Sequence, residues 1–308
     1  MSFNNLTFSN NAIRGLVALI VFAVVTPAST AEEKISPAIL RVADNPDSDR
    51  APATALTATA LAGAPVQSAA FDLTQKPGEH PLMPVIRVVE ASQAEFDSKI
   101  KDYSCTLIKQ ERVDGELGEE QKIAMKVMQQ PFSVYMQFIQ PFAGREVAFV
   151  DGQNSGRLVV LEAGFKRMMG KMNLDPNGSL AMKGQNHPIT SVGIRNLLIK
   201  LTKMWGAETK FAECDVTTNP NSKIGDRSCT MIQVIHPIAR QDFKFHAARL
   251  FLDNELKIPI HFDAFSWPEQ AEGEPPLEER FTYAKLKVNN DFTAKDFDSK
   301  NNPDIFRQ

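Results

Sequence analysis

The chain has 308 residues, 43% of them hydrophobic and 23% charged, with 34 Lys+Arg against 37 Asp+Glu. That is enough apolar material for a globular core, and a formal charge of −3 with no basic tract excludes the concentrated positive face that nucleic-acid binding requires. Three cysteines without a C-x-x-C pair exclude the common structural zinc and iron–sulfur sites and a disulfide-built miniature scaffold.

In chain order, residues 15–25 (GLVALIVFAVV) are an uncharged apolar run between Arg14 and the small residues ending in Ala28, Ser29, Thr30 and Ala31. This is the plan of a secretory signal, residues 1–31, cleaved after Ala31. The run is about half of the ~20 residues that a membrane-crossing helix needs, so the mature chain is expected to be exported, periplasmic or extracellular, with no transmembrane span. Residues 32–80 follow as a spacer rich in Ala, Thr and Pro. With hardly an aromatic residue, it has too little apolar surface to offset the entropy of folding. Residues 81–308 are expected to form a single β-rich domain.

From Pro84, Ile86, Val89, Phe96 and Ile100 recur at helical spacing with charges on the other faces, which predicts an amphipathic helix laid on a sheet. The period then changes. Residues 102–113 and 121–130 read as a hairpin turned at Asp114-Gly115. Residues 132–139 alternate, with Phe132, Val134, Met136 and Phe138 on one face and Ser133, Tyr135 and Gln137 on the other, so one face is expected to be dry and the other wet. Residues 145–151, 157–163 and 165–174 continue a meander. A second helix carries Ile194, Leu197, Leu198, Leu201 and Trp205, with Thr190 or Ser191 as its cap and Gly206 as its stop. Strands resume on both sides of Cys214 and Cys229, then at 246–254, 257–267 and 279–289. Hairpin-length connections make the fold class α+β, mainly β, an antiparallel sheet with helices on one face.

Few motifs carry chemistry. The segment Gly164 to Met172 has the wrong spacing for a phosphate loop, and Asp175-Pro176-Asn177-Gly178 lacks the closing Glu of a calcium loop and reads as a turn. Of His80, His187, His236, His246 and His261, the last three fall on late strands and could meet across a sheet, but without ligand spacing; His187 and His236 precede proline and read as strand ends. The segment 268–279 is acidic and proline-rich, a solvated hairpin tip or a docking surface for a basic partner. Arg145 and Glu146 alternate faces, and an inward Arg145 at a sheet rim needs a carboxylate such as Glu111 or an anionic ligand group. Cys214 and Cys229 flank Asn219-Pro220 and Gly225 and are expected to pair across a hairpin; Cys105 is then a buried free thiol, a nucleophile or one half of an intermolecular bridge. Met125, Met128, Met136, Met168, Met169, Met172 and Met231 fall on predicted strands, which suits either an adaptable apolar binding face or an ordinary core.

The C-terminal stretch adds a resemblance. Leu250 to Asp253, Lys257-Ile258-Pro259 to Asp263, and Phe281-Thr282-Tyr283 running through Asn289-Asn290 to Phe292 and Phe297 resemble the closing strands of the outer-membrane lipoprotein-sorting, Lol-type carriers. The stretches 102–107, 111–115, 131–135, 144–147, 174–178 and 187–190 are similar to a family of secreted bacterial domains of unknown function. The resemblance implies an unclosed, curved antiparallel sheet wrapped around helices, enclosing an apolar cavity for acyl chains, with no catalytic residues and no cofactor to carry over. Joined to the residue pattern, it predicts a non-enzymatic envelope protein that binds lipid or an acylated lipoprotein, with Phe132, Val134, Met136 and Phe138 lining the cavity and Arg145 at its polar rim. The alternatives are a structural or protein-interaction domain of the envelope whose apolar face is filled core, and a hydrolase built on converging carboxylates or on the late histidines.

Overall fold

A computed structural model of the chain describes residues 70–270 and 273–306. The expected signal and the spacer up to residue 69 lie outside them. Among the described residues, no helix is long and apolar enough to cross a membrane.

The first helix, α1, spans Leu82–Lys99. Leu82, Val85, Ile86, Val89 and Phe96 fall on its buried stripe, and Pro84 sits in the first turn, where its missing N–H costs nothing. Its start is held from outside. The Leu82 N–H donates to His80 Nδ1 (3.1 Å), and the other ring nitrogen of His80 meets the Phe211 carbonyl. Contacts with the core thus reach back before Pro81, and Phe71 and Leu73 also pack against it.

Among the described residues, twelve strands form one antiparallel sheet. They are β1 (Asp102–Val113), β2 (Glu116–Leu117), β3 (Gln121–Met128), β4 (Ser133–Gln140), β5 (Glu146–Val150), β6 (Leu158–Leu161), β7 (Lys171–Leu174), β8 (Asp215–Ile224), β9 (Arg227–Ile235), β10 (Ala247–Asp253), β11 (Pro259–Phe265) and β12 (Leu277–Val288). Two meanders, β1 to β7 and β8 to β12, are joined where β1 pairs with β12. The sheet does not close, since β7 and β8 lie at its two ends. Asp114 and Gly115 both take positive φ (53° and 83°), the backbone of a primed hairpin turn, and lead into the short β2. Between the meanders lie α2 (Ser179–Met182) and α3 (Ile194–Glu208).

The start of α3 differs from the expected side-chain cap. Thr190 and Ser191 belong to a short 3-10 turn, and the N-cap is Gly193 at φ 108°, ψ 164°, a conformation open to glycine. The Ile194 N–H donates instead to the Tyr103 hydroxyl (3.1 Å) at the start of β1. Gly206 is no stop, because the helix runs through it to Glu208.

The inner face of the sheet and the two long helices share one core, with Phe96, Tyr103, Leu201, Trp205 and Phe262 essentially inaccessible. Burial of each such side chain contributes ~1.5–3 kcal/mol. The outer face of β4, β5 and β6 is also covered, contrary to the expectation of a wet side at Tyr135. Tyr135, Ala148, Val159 and Leu161 form a second core with Phe297, Ile305 and Phe306 from the C-terminal segment. Buried Glu146 joins the two layers, accepting from the Tyr135 hydroxyl (2.8 Å), the Arg167 guanidinium (3.1 Å) and the Phe306 N–H.

The expected Cys214–Cys229 bridge is not formed; all three cysteines are free and buried. The register explains it. The hairpin turns at Gly225-Asp226, not at Asn219-Pro220, because Ile224 pairs with Arg227. Cys229 therefore faces Ser222, whereas Asp215, next to Cys214, faces Ile235 at the far end of β9. Six residues of strand separate the two positions, ~20 Å, against the ~7 Å a disulfide spans. Pro220 sits on an irregularity of an end strand, where its missing N–H is tolerated. Burial pushes the Cys214 and Cys229 thiols up to about 12 and about 11 and raises that of Cys105 further. The native protein should therefore leave all three thiols unlabelled by a thiolate-directed reagent, and the unfolded protein should titrate three. A count of one after unfolding without reductant would show the bridge instead.

Candidate functional site

A cavity of about 1060 Å³ lies between the β1 to β7 half of the sheet and the segment that runs through α2 into α3. The register builds its wall. Cross-strand neighbours share a face, so Leu107, Ile123 and Phe138 form one row, and Met136, Val147, Val160 and Met172 a second, each residue opposite the next. Leu197 and Ile189 close the cavity from the helix side.

Of the residues picked from the sequence, Met136 and Phe138 line this cavity, as does Arg145. Phe132 and Val134 share their face but lie outside it. Val134 is inaccessible, paired with Val127 and Phe149, and Phe132 packs beside Phe149. Arg145 has a carboxylate partner, but it is Glu162 (2.9 Å) rather than Glu111, and its guanidinium lies 4.2 Å from the centre of the Phe142 ring.

One end of the cavity is polar. Glu111 and Glu279 stand directly opposite each other on β1 and β12, both buried. Two carboxylates so placed repel unless cations surround them. Lys109 Nζ donates to Glu111 (2.7 Å), while Lys200 Nζ (2.6 Å) and His187 Nε2 (2.8 Å) hold the two oxygens of Glu279. Lys244 stands 3.9 Å from the same carboxylate. Burial works to raise the Glu279 pKa, but the His187 hydrogen bond and the charges of Lys200 and Lys244 outweigh it and hold the group at about 2. A carboxylate so firmly ionised is poorly suited to passing protons near neutral pH.

Lys109, Gln185, His187 and Lys200 belong to both the cavity lining and this cluster. Sequence reasoning placed Glu279 in a solvated acidic tip and His187 at a strand end. The signal that would have found Glu279 is the period of two with Phe281 and Tyr283, which also reach the cavity.

The late histidines, which could have met across the sheet, are each engaged separately. His236 stacks on Phe243 (4.0 Å between ring centres) and binds the Phe245 carbonyl, its Nε2 being 3.4 Å from the buried Glu208. His246 binds the His236 carbonyl, and His261 binds Thr282. Among the described residues, no three His, Cys, Asp or Glu side chains are grouped to hold a metal ion.

Residues 100–306 match the family described as protein of unknown function DUF1571. The chain belongs to that family. The DUF1571 chain is also similar to several solved structures. One is a domain assigned to outer membrane lipoprotein sorting from Vibrio parahaemolyticus (10% identity, 70% of this chain and 96% of that one, TM-score 0.34). Others are the lipoprotein LppX of Mycobacterium tuberculosis (14%, 67% and 98%, TM-score 0.37) and a LolA superfamily protein of Nitrosomonas europaea (9%, 68% and 96%, TM-score 0.26). No curated protein matches the chain in sequence.

Proposed function

We propose that the protein is a non-enzymatic component of the cell envelope that takes up the acyl chain of a lipid or lipoprotein into the cavity between its sheet and α3. The observation that carries this reading is the cavity itself. About 1060 Å³ of space, walled by Leu107, Ile123, Met136, Val160 and Leu197, is at the upper end of what binding sites for small ligands enclose, and a filled core leaves no such space. The polarity of its surroundings suits an amphiphile. Lys109, Arg145, Lys166, Lys183, Lys200 and Lys203 line it against the carboxylates of Glu111 and Glu162, so a bound molecule meets an excess of positive charge around an apolar trough. The export expected from residues 1–31 supports this reading, since such ligands occur in the cell envelope.

Native mass spectrometry of protein purified from the membrane fraction, before and after organic extraction, tests the reading. A lipid-sized adduct that extraction removes is expected; protein of bare mass throughout, with no uptake of added phospholipid or fatty acid, would overturn it. The substitution Val160→Trp places an indole in the trough and should lower the affinity for a fluorescent fatty acid by about tenfold or more, a loss of at least ~1.4 kcal/mol. Unchanged affinity in a folded variant would move the ligand elsewhere.

A further inference from the structure

Large apolar side chains that stand in solvent are not scattered evenly over the described residues. Phe165 (85% exposed), Met168 (79%), Leu180 (74%) and Met169 (64%) belong to one stretch of chain, the 3-10 turn Gly164–Met169 and the short α2, and Phe142 and Ile199 stand exposed at the same opening. The sequence places 165–169 on a strand. Without alternation to fix a buried face, the segment instead forms a projecting turn with Phe165 and Met168 outward and Met169 at the cavity. Exposed apolar groups gathered into a patch mark a binding surface more often than isolated ones do.

The unpaired charges that line this opening are of one sign among the described residues. Lys166, Lys183 and Lys203 are exposed, line the same opening and have no carboxylate partner among the described residues. The acids of the lining, Glu111 and Glu162, are already paired with Lys109 and Arg145. An apolar tip ringed by unpaired lysines complements a surface that is anionic at its face and hydrocarbon just beneath, which is an anionic phospholipid bilayer. We infer that the cavity mouth is a membrane-docking surface, with Phe165, Met168 and Leu180 entering the headgroup layer and Lys166, Lys183 and Lys203 contacting lipid phosphates. The inference builds on the ligand reading of the cavity and adds the direction of access: the chain passes between bilayer and trough without crossing water.

The test is depth-dependent fluorescence quenching in the full chain. In Phe165→Trp, the new indole is exposed to vesicles whose lipids carry bromine on the acyl chains, made of phosphatidylcholine with or without phosphatidylglycerol. The expected result is quenching beyond that of Trp205 and Trp267 in the parent protein, with phosphatidylglycerol present. Adding K166E, K183E and K203E should lower partition onto those vesicles by about 100-fold, at ~1 kcal/mol for each lysine. Quenching that is absent, or equal with and without phosphatidylglycerol and indifferent to the charge reversals, would overturn the inference and leave the patch to a protein partner. Because the substitutions are on exposed residues, a circular dichroism spectrum like the parent's is expected of each variant. The bound-lipid mass reads the cavity and the quenching reads the rim, so either reading can fail alone.

Discussion

Gly193→Ala should be among the most damaging substitutions in the domain, with an expected loss of ~3 kcal/mol in urea unfolding. Two separate terms add. At φ 108° and ψ 164° a residue with a side chain is strained, at a cost of ~1–3 kcal/mol. An added Cβ would also lie 2.7 Å from the Tyr103 hydroxyl, which cannot retreat freely because it accepts the first N–H of α3. Tyr103→Phe alone leaves that N–H without a partner in the core, costing ~1–3 kcal/mol. The two substitutions together should cost less than their sum by about 1 kcal/mol, since removing the hydroxyl leaves nothing nearer to the new Cβ than 4.0 Å. Strict additivity would mean that the steric term is absent and only the backbone matters.

The second large effect belongs to Glu279. Its pKa is held at about 2 in the folded protein against an ordinary 4.5, so the stability it contributes is fully present above pH 4.5 and is lost as pH falls from there toward 2. The difference corresponds to about 3 kcal/mol. Glu279→Ala should cost ~3 kcal/mol at pH 7, because the half-buried Lys200 and His187 lose their charged partner. The gap between parent and Glu279→Gln should narrow steadily as unfolding is measured at lower pH through that window. A gap that does not change with pH would show that the carboxylate is not ionised against these cations.

The sheet and both long helices were legible in the sequence because their apolar periods are long and uninterrupted: Ile86 to Ile100 for α1, Phe132 to Phe138 for β4, Ile194 to Trp205 for α3. What escaped depends on partners distant in the chain. The β8–β9 hairpin turns at Gly225, which takes positive φ, whereas the whole segment between the cysteines, with both Asn219-Pro220 and Gly225, reads from sequence as the tip and so places the two cysteines opposite each other. Tyr135 looked solvent-facing because its cover, Phe297 and Phe306, comes from the other end of the domain. Glu279 looked like part of an acidic tip because its cations come from elsewhere in the chain: Lys200 from α3, His187 from the loop before it and Lys244 from the loop between β9 and β10. Within the candidate site, alternation on β4 puts Phe132, Val134, Met136 and Phe138 on one face but carries no measure of how far along that face the space extends; Met136 and Phe138 reach it and Phe132 and Val134 do not.

The C-terminal layer has a bearing on how the protein is made. Strands β4 to β6 leave the ribosome, and emerge from any export channel, well before Phe292, Phe297, Ile305 and Phe306, which cover their outer surface among the described residues. Until those residues arrive, Tyr135, Val159 and Leu161 are open to water and Glu146 lacks the Phe306 amide. Half-emerged chains would thus expose a sticky sheet surface, the kind of species that holding chaperones bind and that aggregates when they are absent. Docking of the last segment then covers the outer surface of those strands, while their inner surface still faces the cavity.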